Sequence, residues 1–304
     1  METAVDTAAA PAQTNPAARQ NQYKKALILF NEKAGSVGAA DGEKLVAAAK
    51  AAGIEQFKLL GANQMTPRFF AGAKNFDVMI VLGGDGTARA AAELMPRDGP
   101  PLMLLPGGTL NVLPRALYGE LAWPDALTAA LERGVVRRLP AGKANGIPFF
   151  VAALFGSPAI LARAREAVRE GRFVAAFNGL RHYMKRSFSH RLRAGCDGKR
   201  LRKAEAIAVL CGAFTGHVGG EGLEWARFDA KKTIDLALLS FKALSQSWRD
   251  DKTVEIGGCV RGQIYSPGVI PAALDGEPRT FLSSVRITYD PKGPRVLALE
   301  EESA

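Results

Sequence analysis

The feature that most constrains this chain is a repeated local pattern, in which a short apolar run stops at asparagine or glycine and a helix-favouring stretch follows. Residues 26–30 lead into Asn31-Glu32-Lys33-Ala34-Gly35, after which 38–50 reads as a helix stopped by Gly53. Residues 78–82 lead into Gly83-Gly84-Asp85-Gly86-Thr87 and an Ala-rich stretch to Met95, and residues 101–105 into Pro106-Gly107-Gly108-Thr109-Leu110-Asn111. Short runs without polar interruption suit strands covered on both faces. A further strand fits 54–60, and Thr66-Pro67 supplies an N-cap followed by proline at the first helical position. Strands alternating with helices predict a parallel sheet through about residue 140. Such a sheet brings the carboxyl ends of its strands, and the loops leaving them, to one edge.

The pattern then changes. Residues 149–154, 206–211, 234–241, 253–260 and 285–289 are strand-like without regular helices between them, and Cys196-Asp197-Gly198-Lys199 carries a hairpin signal. The expectation is a second, antiparallel β domain over 141–291, following an α/β domain over 23–140. An insertion at 158–193 interrupts it: Phe173, Phe177, Leu180, Met184, Phe188 and Leu192 recur at helical spacing among nine Lys/Arg. This basic amphipathic segment fits either a membrane surface or packing within the β domain with a solvated cationic face. The Ala/Pro/Gln/Asn-rich residues 1–22 read as a disordered tail.

A net charge of +10 and a pI near 9.6 favour polyanionic neighbours without choosing among nucleotide, lipid headgroup and nucleic acid. No nucleic-acid motif or aromatic–basic interleaving supports the last of these. Cys196, Cys211 and Cys259 are odd in number and lack C-x-x-C spacing, so neither a disulfide framework nor a zinc site is indicated. No apolar run approaches the roughly 20 residues that cross a bilayer, and 1–22 lacks signal-peptide character. A cytoplasmic protein is expected.

Gly83, Gly84 and Gly86 let backbone approach a ligand closely, and the helix that follows offers N–H groups and a positive dipole end to phosphate. Asp85 is anomalous in such a cradle unless a cation such as Mg²⁺ lies between carboxylate and phosphate, or unless it caps a turn. The segment is not a Walker A loop, because no Gly-Lys-Ser/Thr follows, nor a dinucleotide fingerprint, because Arg89 holds the last glycine position. Thr109 and Asn111 leave a second strand end, and Asn31 and Gly35 a third; each alone reads equally well as turn chemistry. Asp275-Gly276 lies between strand-like runs and by itself signals a hairpin. His182, His190 and His217 show no metal-ligand spacing.

Taken in order, NEKAG at 31–35, GGDGT at 83–87, PGGTLNVLPR at 106–115 and LDGEP at 274–278 resemble the diacylglycerol kinase catalytic-domain family, which includes sphingosine, ceramide and bacterial lipid kinases. The resemblance covers about residues 24–300. It implies an α/β domain like that of NAD kinases, a β-sandwich, a nucleotide in the cleft between them, and a C-terminal segment, here 292–300, packed back on the first domain. It implies ATP contacts at Asn31 to Gly35, Thr66, Gly83, Gly84, Asp85, Gly86, Thr87, Arg89, Thr109 and Asn111, with Asp275 as general base and Glu277 as its acidic companion. Mg²⁺ at Asp85 and a lipid hydroxyl as acceptor at an anionic membrane surface complete the expectation.

The sequence departs from the family at Glu32, Ala34 and Pro114, and more seriously at 229–235. There the family has an Asp-Asp-Gly-Leu-Leu-Asp-like run and this chain has Asp229-Ala230-Lys231-Lys232-Thr233-Ile234-Asp235. Asp229 is the weaker candidate for a second metal position. Two other functions remain open: an NAD kinase-like phosphotransferase, whose Thr-Gly-Ser-Thr-Ala-Tyr-like segment is missing here, and a nucleotide- or lipid-binding regulator without turnover.

Overall fold

The computed structural model describes residues 23–156, 192–212, 222–228, 249 and 254–300. The apolar runs of the first domain form β1 (Lys25–Phe30), β2 (Gln56–Gly61), β3 (Val78–Gly83) and β4 (Leu102–Pro106), paired in parallel. Every residue of β3 is buried, as its uninterrupted apolar sequence requires of a central strand. Five helices, α1 (Ala39–Ala51), α2 (Pro67–Ala71), α3 (Asp85–Leu94), α4 (Val112–Tyr118) and α5 (Trp123–Arg133), accompany the strands. Thr66 caps α2 as its sequence signal requires, accepting the Phe69 N–H at 3.3 Å, with Pro67 opening the helix.

Two more strands close this sheet. β5 (Val135–Arg138) lies at its edge, and β18 (Arg295–Ala298) returns from the far end of the chain to lie between β4 and β5. The order is therefore β2-β1-β3-β4-β18-β5, with β18 parallel to β4 and antiparallel to β5. From β1 the chain adds β2 on one side and then β3 on the other. Sheets of this kind take ligands at the point where progression reverses, here beyond the carboxyl ends of β1 and β3.

The described residues of 141–290 supply twelve antiparallel strands: β6 (Ala141–Ala144), β7 (Ile147–Phe149), β8 (Ala152–Gly156), β9 (Leu192–Cys196), β10 (Arg202–Ala204), β11 (Ala206–Cys211), β12 (Leu223–Phe228), β13 (Val254–Cys259), β14 (Arg261–Tyr265), β15 (Ile270–Leu274), β16 (Glu277–Phe281) and β17 (Ser284–Asp290). They form two six-stranded sheets, β10-β9-β14-β17-β6-β7 and β13-β12-β11-β8-β15-β16. The inward positions of both sheets share one core: Phe149, Ala194, Ile264 and Ile287 from the first meet Phe155, Val209, Trp225 and Leu274 from the second.

Three departures from the sequence reading have physical causes. The run at 149–154 is two strands in different sheets, because the chain changes sheets at Phe150 and Val151, whose N–H groups turn toward Asp275. β5 was not expected, its four residues being too few to register a period. Leu192 and Arg193 continue no helix but begin β9, paired with β10 and β14. The rest of the amphipathic insertion, Asp229, Asp235 and the run at 234–241 lie outside the described residues.

Gly262 in β14 sits beneath Trp225, and a Cβ there would overlap the indole ring. Gly257 in β13 faces open space. Gly262→Ala is expected to destabilise the protein by about 1–3 kcal/mol in urea denaturation. Gly257→Ala is expected to change stability by no more than about 0.5 kcal/mol.

Candidate active site

The three glycine-bearing exits meet at this switch point. Asn31 Nδ2 donates to Thr87 Oγ1 at 2.9 Å, joining the loop after β1 to the loop after β3. Ser36 N–H donates to the Gly107 carbonyl at 3.2 Å, joining the first loop to the third. The packing is close enough to exclude side chains. A Cβ on Gly108 would lie 2.6 Å from the Gly84 Cα, one on Gly83 2.8 Å from the Thr87 Cβ, and one on Gly35 2.7 Å from Thr109 Oγ1. These glycines are thus explained first by loop against loop. Gly86 differs: a Cβ there would meet nothing within 4 Å, so the first turn of α3 faces open space.

Asp85 opens α3, yet its side chain serves another helix, with Oδ1 accepting the Leu113 N–H of α4 at 3.2 Å. Burial pushes its carboxyl above the ordinary aspartate range, and the Leu113, Val112 and Asn111 N–H groups pull it back down. Asn111 holds φ at 51° and closes the third loop on itself, its Oδ1 accepting the Gly108 N–H at 2.6 Å and its Nδ2 donating to the Gly108 carbonyl at 2.8 Å. Thr66 lies beyond β2, an edge strand, and its side chain is occupied as the cap of α2.

Asp275 and Gly276 form the β15–β16 hairpin turn with φ of 48° and 82°, both in the left-handed region that Asp-Gly tolerates. The same Asp275 is half-buried, and both its oxygens are engaged. Oδ2 accepts the Phe150 N–H at 2.8 Å, while Oδ1 accepts the Val151 and Ala152 N–H groups at 2.9 and 3.0 Å. Burial pushes this carboxyl upward as well, against three N–H groups and the nearby Arg89, which favour the ionised form.

Arg89 joins the two halves of the site. It stands one turn into α3 with 8% of its surface exposed, and its guanidinium donates to Glu93 at 2.9 Å and across the domain boundary to Glu277 at 2.5 Å. Glu277 is also 3.3 Å from Arg279. The residue that broke the dinucleotide fingerprint thus connects the GGDGT helix to the Asp-Gly-Glu turn.

Sequence reasoning missed a second constellation. Cys196, at the end of β9, and Cys259, where the chain leaves one sheet for the other, lie with Asp197 so that their ligand atoms fall within 4.8 Å of one another. A separation of 63 residues conceals this. A hydrogen bond from Cys259 lowers the Cys196 thiol to about 7, whereas burial pushes Cys211 well up.

With the geometry in hand, the fold is that of an α/β domain with a parallel sheet followed by an antiparallel β-rich domain, the organisation shared by diacylglycerol kinases and NAD kinases. Residues 25–144 match the family model of the diacylglycerol kinase catalytic domain. Among solved structures, a diacylglycerol kinase from Bacillus anthracis str. Sterne is similar with a TM-score of 0.64 at 16% identity, covering 91% of this chain and 98% of the other. An NAD kinase from Archaeoglobus fulgidus in complex with ATP is similar with a TM-score of 0.54 at 13% identity, covering 91% and 94%. No curated protein sequence matches. Residues 25–144 are thus similar to the diacylglycerol kinase catalytic domain, a match that takes in the first three of the ordered motifs and stops short of LDGEP at 274–278.

Two outcomes follow from the site. Arg89→Met removes the bridge while Glu277 can still reach water, so a loss of about 1–3 kcal/mol is expected in urea denaturation, with Arg89→Lys recovering part of it. Iodoacetamide is expected to alkylate Cys196 ahead of Cys211 and Cys259, with a rate rising through pH 7, as peptide mass spectrometry would show.

Proposed function

We propose that this protein is a Mg-ATP-dependent kinase that transfers the γ-phosphate to the hydroxyl of a lipid such as a diacylglycerol or sphingoid base. The observation that carries the reading is the arrangement around Arg89. On one side, the open first turn of α3 follows a glycine loop at a sheet switch point. On the other, a half-buried carboxylate stands at the Asp275 turn, held by three backbone N–H groups.

The first of these fits a triphosphate. The space at Gly86 is unobstructed and the α3 N–H groups favour anionic oxygen, while Asn31, Thr87 and Thr109 belong to the loops that converge beside it. Asp85 would hold Mg²⁺ directly or through water, sharing its carboxylate with the α4 N–H groups. When bound, the magnesium nucleotide supplies the phosphoryl group and offsets charge on the leaving oxygens.

The remaining chemistry falls to Asp275. A lipid hydroxyl is a poor nucleophile, and a carboxylate within reach takes its proton as the oxygen bonds to the γ-phosphorus and the bond to the departing diphosphate breaks. The backbone N–H groups fix the orientation of the carboxylate, and Arg89 favours its charged form. Because burial raises this carboxyl, its deprotonated fraction, and with it the rate, falls as pH drops through a value above that of a free aspartate.

The test is transfer of labelled γ-phosphate from ATP to a native lipid extract. Transfer is expected with wild type and is expected to fall by on the order of a hundredfold or more in Asp275→Asn, with the fold retained by circular dichroism. Absence of any labelled lipid from the folded wild-type protein would sink the proposal. Labelled phosphate on NAD instead would establish the NAD kinase-like reading that the Archaeoglobus fulgidus fold similarity keeps in view. Nucleotide binding without any product would favour a regulator.

A further inference from the structure

The outer face of the sheet β10-β9-β14-β17-β6-β7 gathers several cations. Along β9, β14 and β17 alternation sends Leu192, Ala194, Ile264, Val285 and Ile287 into the core. The opposite positions carry Arg193, Arg261 and Arg286, joined by Lys203 of β10 and by Lys199 of the neighbouring turn. Registers confirm a common face: Arg193 stands opposite Lys203 and Tyr265, and Gln263 stands opposite Arg286. A groove of about 620 Å³ runs over it, lined in part by Lys199, Arg261 and Arg286.

None of these five cations has an acidic partner among the described residues. Elsewhere pairing is common, as in Lys24–Glu55, Lys44–Asp41, Arg97–Asp290, Lys143–Asp290 and Arg202–Glu255. The one acid among the described residues of the groove, Asp197, has its carboxylate turned to the Val260 and Arg261 N–H groups at 2.8 to 3.2 Å. Five uncompensated cations on one sheet face are a cost in self-repulsion that an anionic partner removes.

One end of the same face is apolar. Beyond Tyr265 and Ser284 lie the loop after β14 and the turn before β17, held together by the Ser266 N–H on the Ser283 carbonyl. Leu282 stands there with 78% of its surface exposed, Val269 with 47% and Tyr265 with 39%. The turn is tight, with Ser283 at positive φ and the Ser284 N–H directed back at the Leu282 carbonyl, so Leu282 is held outward.

We propose that this face docks on an anionic lipid bilayer, with Leu282, Val269 and Tyr265 entering the interfacial layer and Arg193, Lys203, Lys199, Arg261 and Arg286 lying against the headgroups. Cations beside a short apolar tip are the two components that reversible attachment to a bilayer surface combines. A purely polyanionic partner such as nucleic acid would leave the apolar tip without a role. The surface accords with a lipid acceptor but does not depend on the kinase reading, since it is tested by binding alone.

The experiment is sedimentation of the full chain with vesicles of equal parts phosphatidylglycerol and phosphatidylcholine, compared with phosphatidylcholine alone. Each cation near such a surface contributes ~1 kcal/mol, about fivefold in partitioning, so Arg193→Gln/Arg261→Gln/Arg286→Gln is expected to lower partitioning on the order of a hundredfold. Leu282→Ser/Val269→Ser is expected to weaken binding in a manner that added salt does not reproduce, whereas salt weakens wild type through its cations. Thermal unfolding of both variants should match wild type, since every substituted side chain is at the surface. The proposal is overturned if wild type does not sediment with the anionic vesicles. It is equally overturned if both variants bind as wild type does, or if the arginine variant loses binding to a DNA duplex but not to vesicles.

Discussion

The Arg89 guanidinium is the interaction on which the rest of the site depends. α3 belongs to the sheet with parallel strands and the Asp-Gly-Glu turn to the sandwich, and the Arg89–Glu277 contact at 2.5 Å ties the one to the other. Its strength comes from charge assistance within a partly dried boundary. Glu277 keeps 41% of its side chain exposed, so the pair escapes most of the desolvation cost that burdens fully buried ion pairs. Glu93 adds a second acceptor, and the Arg89 Nε is left buried without one among the described residues. A guanidinium held in this way fixes where Asp275 stands relative to the first turn of α3.

Among its described residues the sandwich uses one device three times. Asn145-Gly146, Asp197-Gly198 and Asp275-Gly276 all turn hairpins through paired positive φ values, 48° and 87°, 49° and 75°, 48° and 82°. In each, the Asx side chain bonds backbone far away in sequence: Asn145 accepts the Arg286 N–H, Asp197 the Val260 and Arg261 N–H groups, and Asp275 those of 150–152. Turn formation and a role in chemistry are therefore compatible at Asp275. What distinguishes it from its two counterparts is burial beside Arg89, which a local sequence signal cannot express.

That contrast explains how much was legible. The parallel sheet and its three loops were readable because uninterrupted runs such as 78–82 report burial on both faces, and glycine reports close approach. The sandwich was readable as a class but not strand by strand. Residues 149–154 present one apolar run, and only the three N–H groups bent toward Asp275 show why it must break. β6 and β7 are four and three residues long, too short for a period of two to stand out. The Cys196–Cys259 approach depends on a hairpin in one sheet and a sheet crossing in the other, so no spacing rule finds it.

Asp85 shows how an anomaly in sequence can have a structural cause without losing its chemical interest. A carboxylate in a phosphate cradle needs a positive partner, and the α4 N–H groups provide one from within the chain. This ties the second glycine loop to the third, since α4 begins directly after Asn111, which closes that loop on Gly108. The carboxylate is thereby fixed in direction before any ligand arrives, while its burial keeps the charged form costly. A cation drawn to this carboxylate would relieve that cost, so the anchoring to α4 and a metal role act in the same sense: the first sets the oxygen in place, and the second would favour its charge.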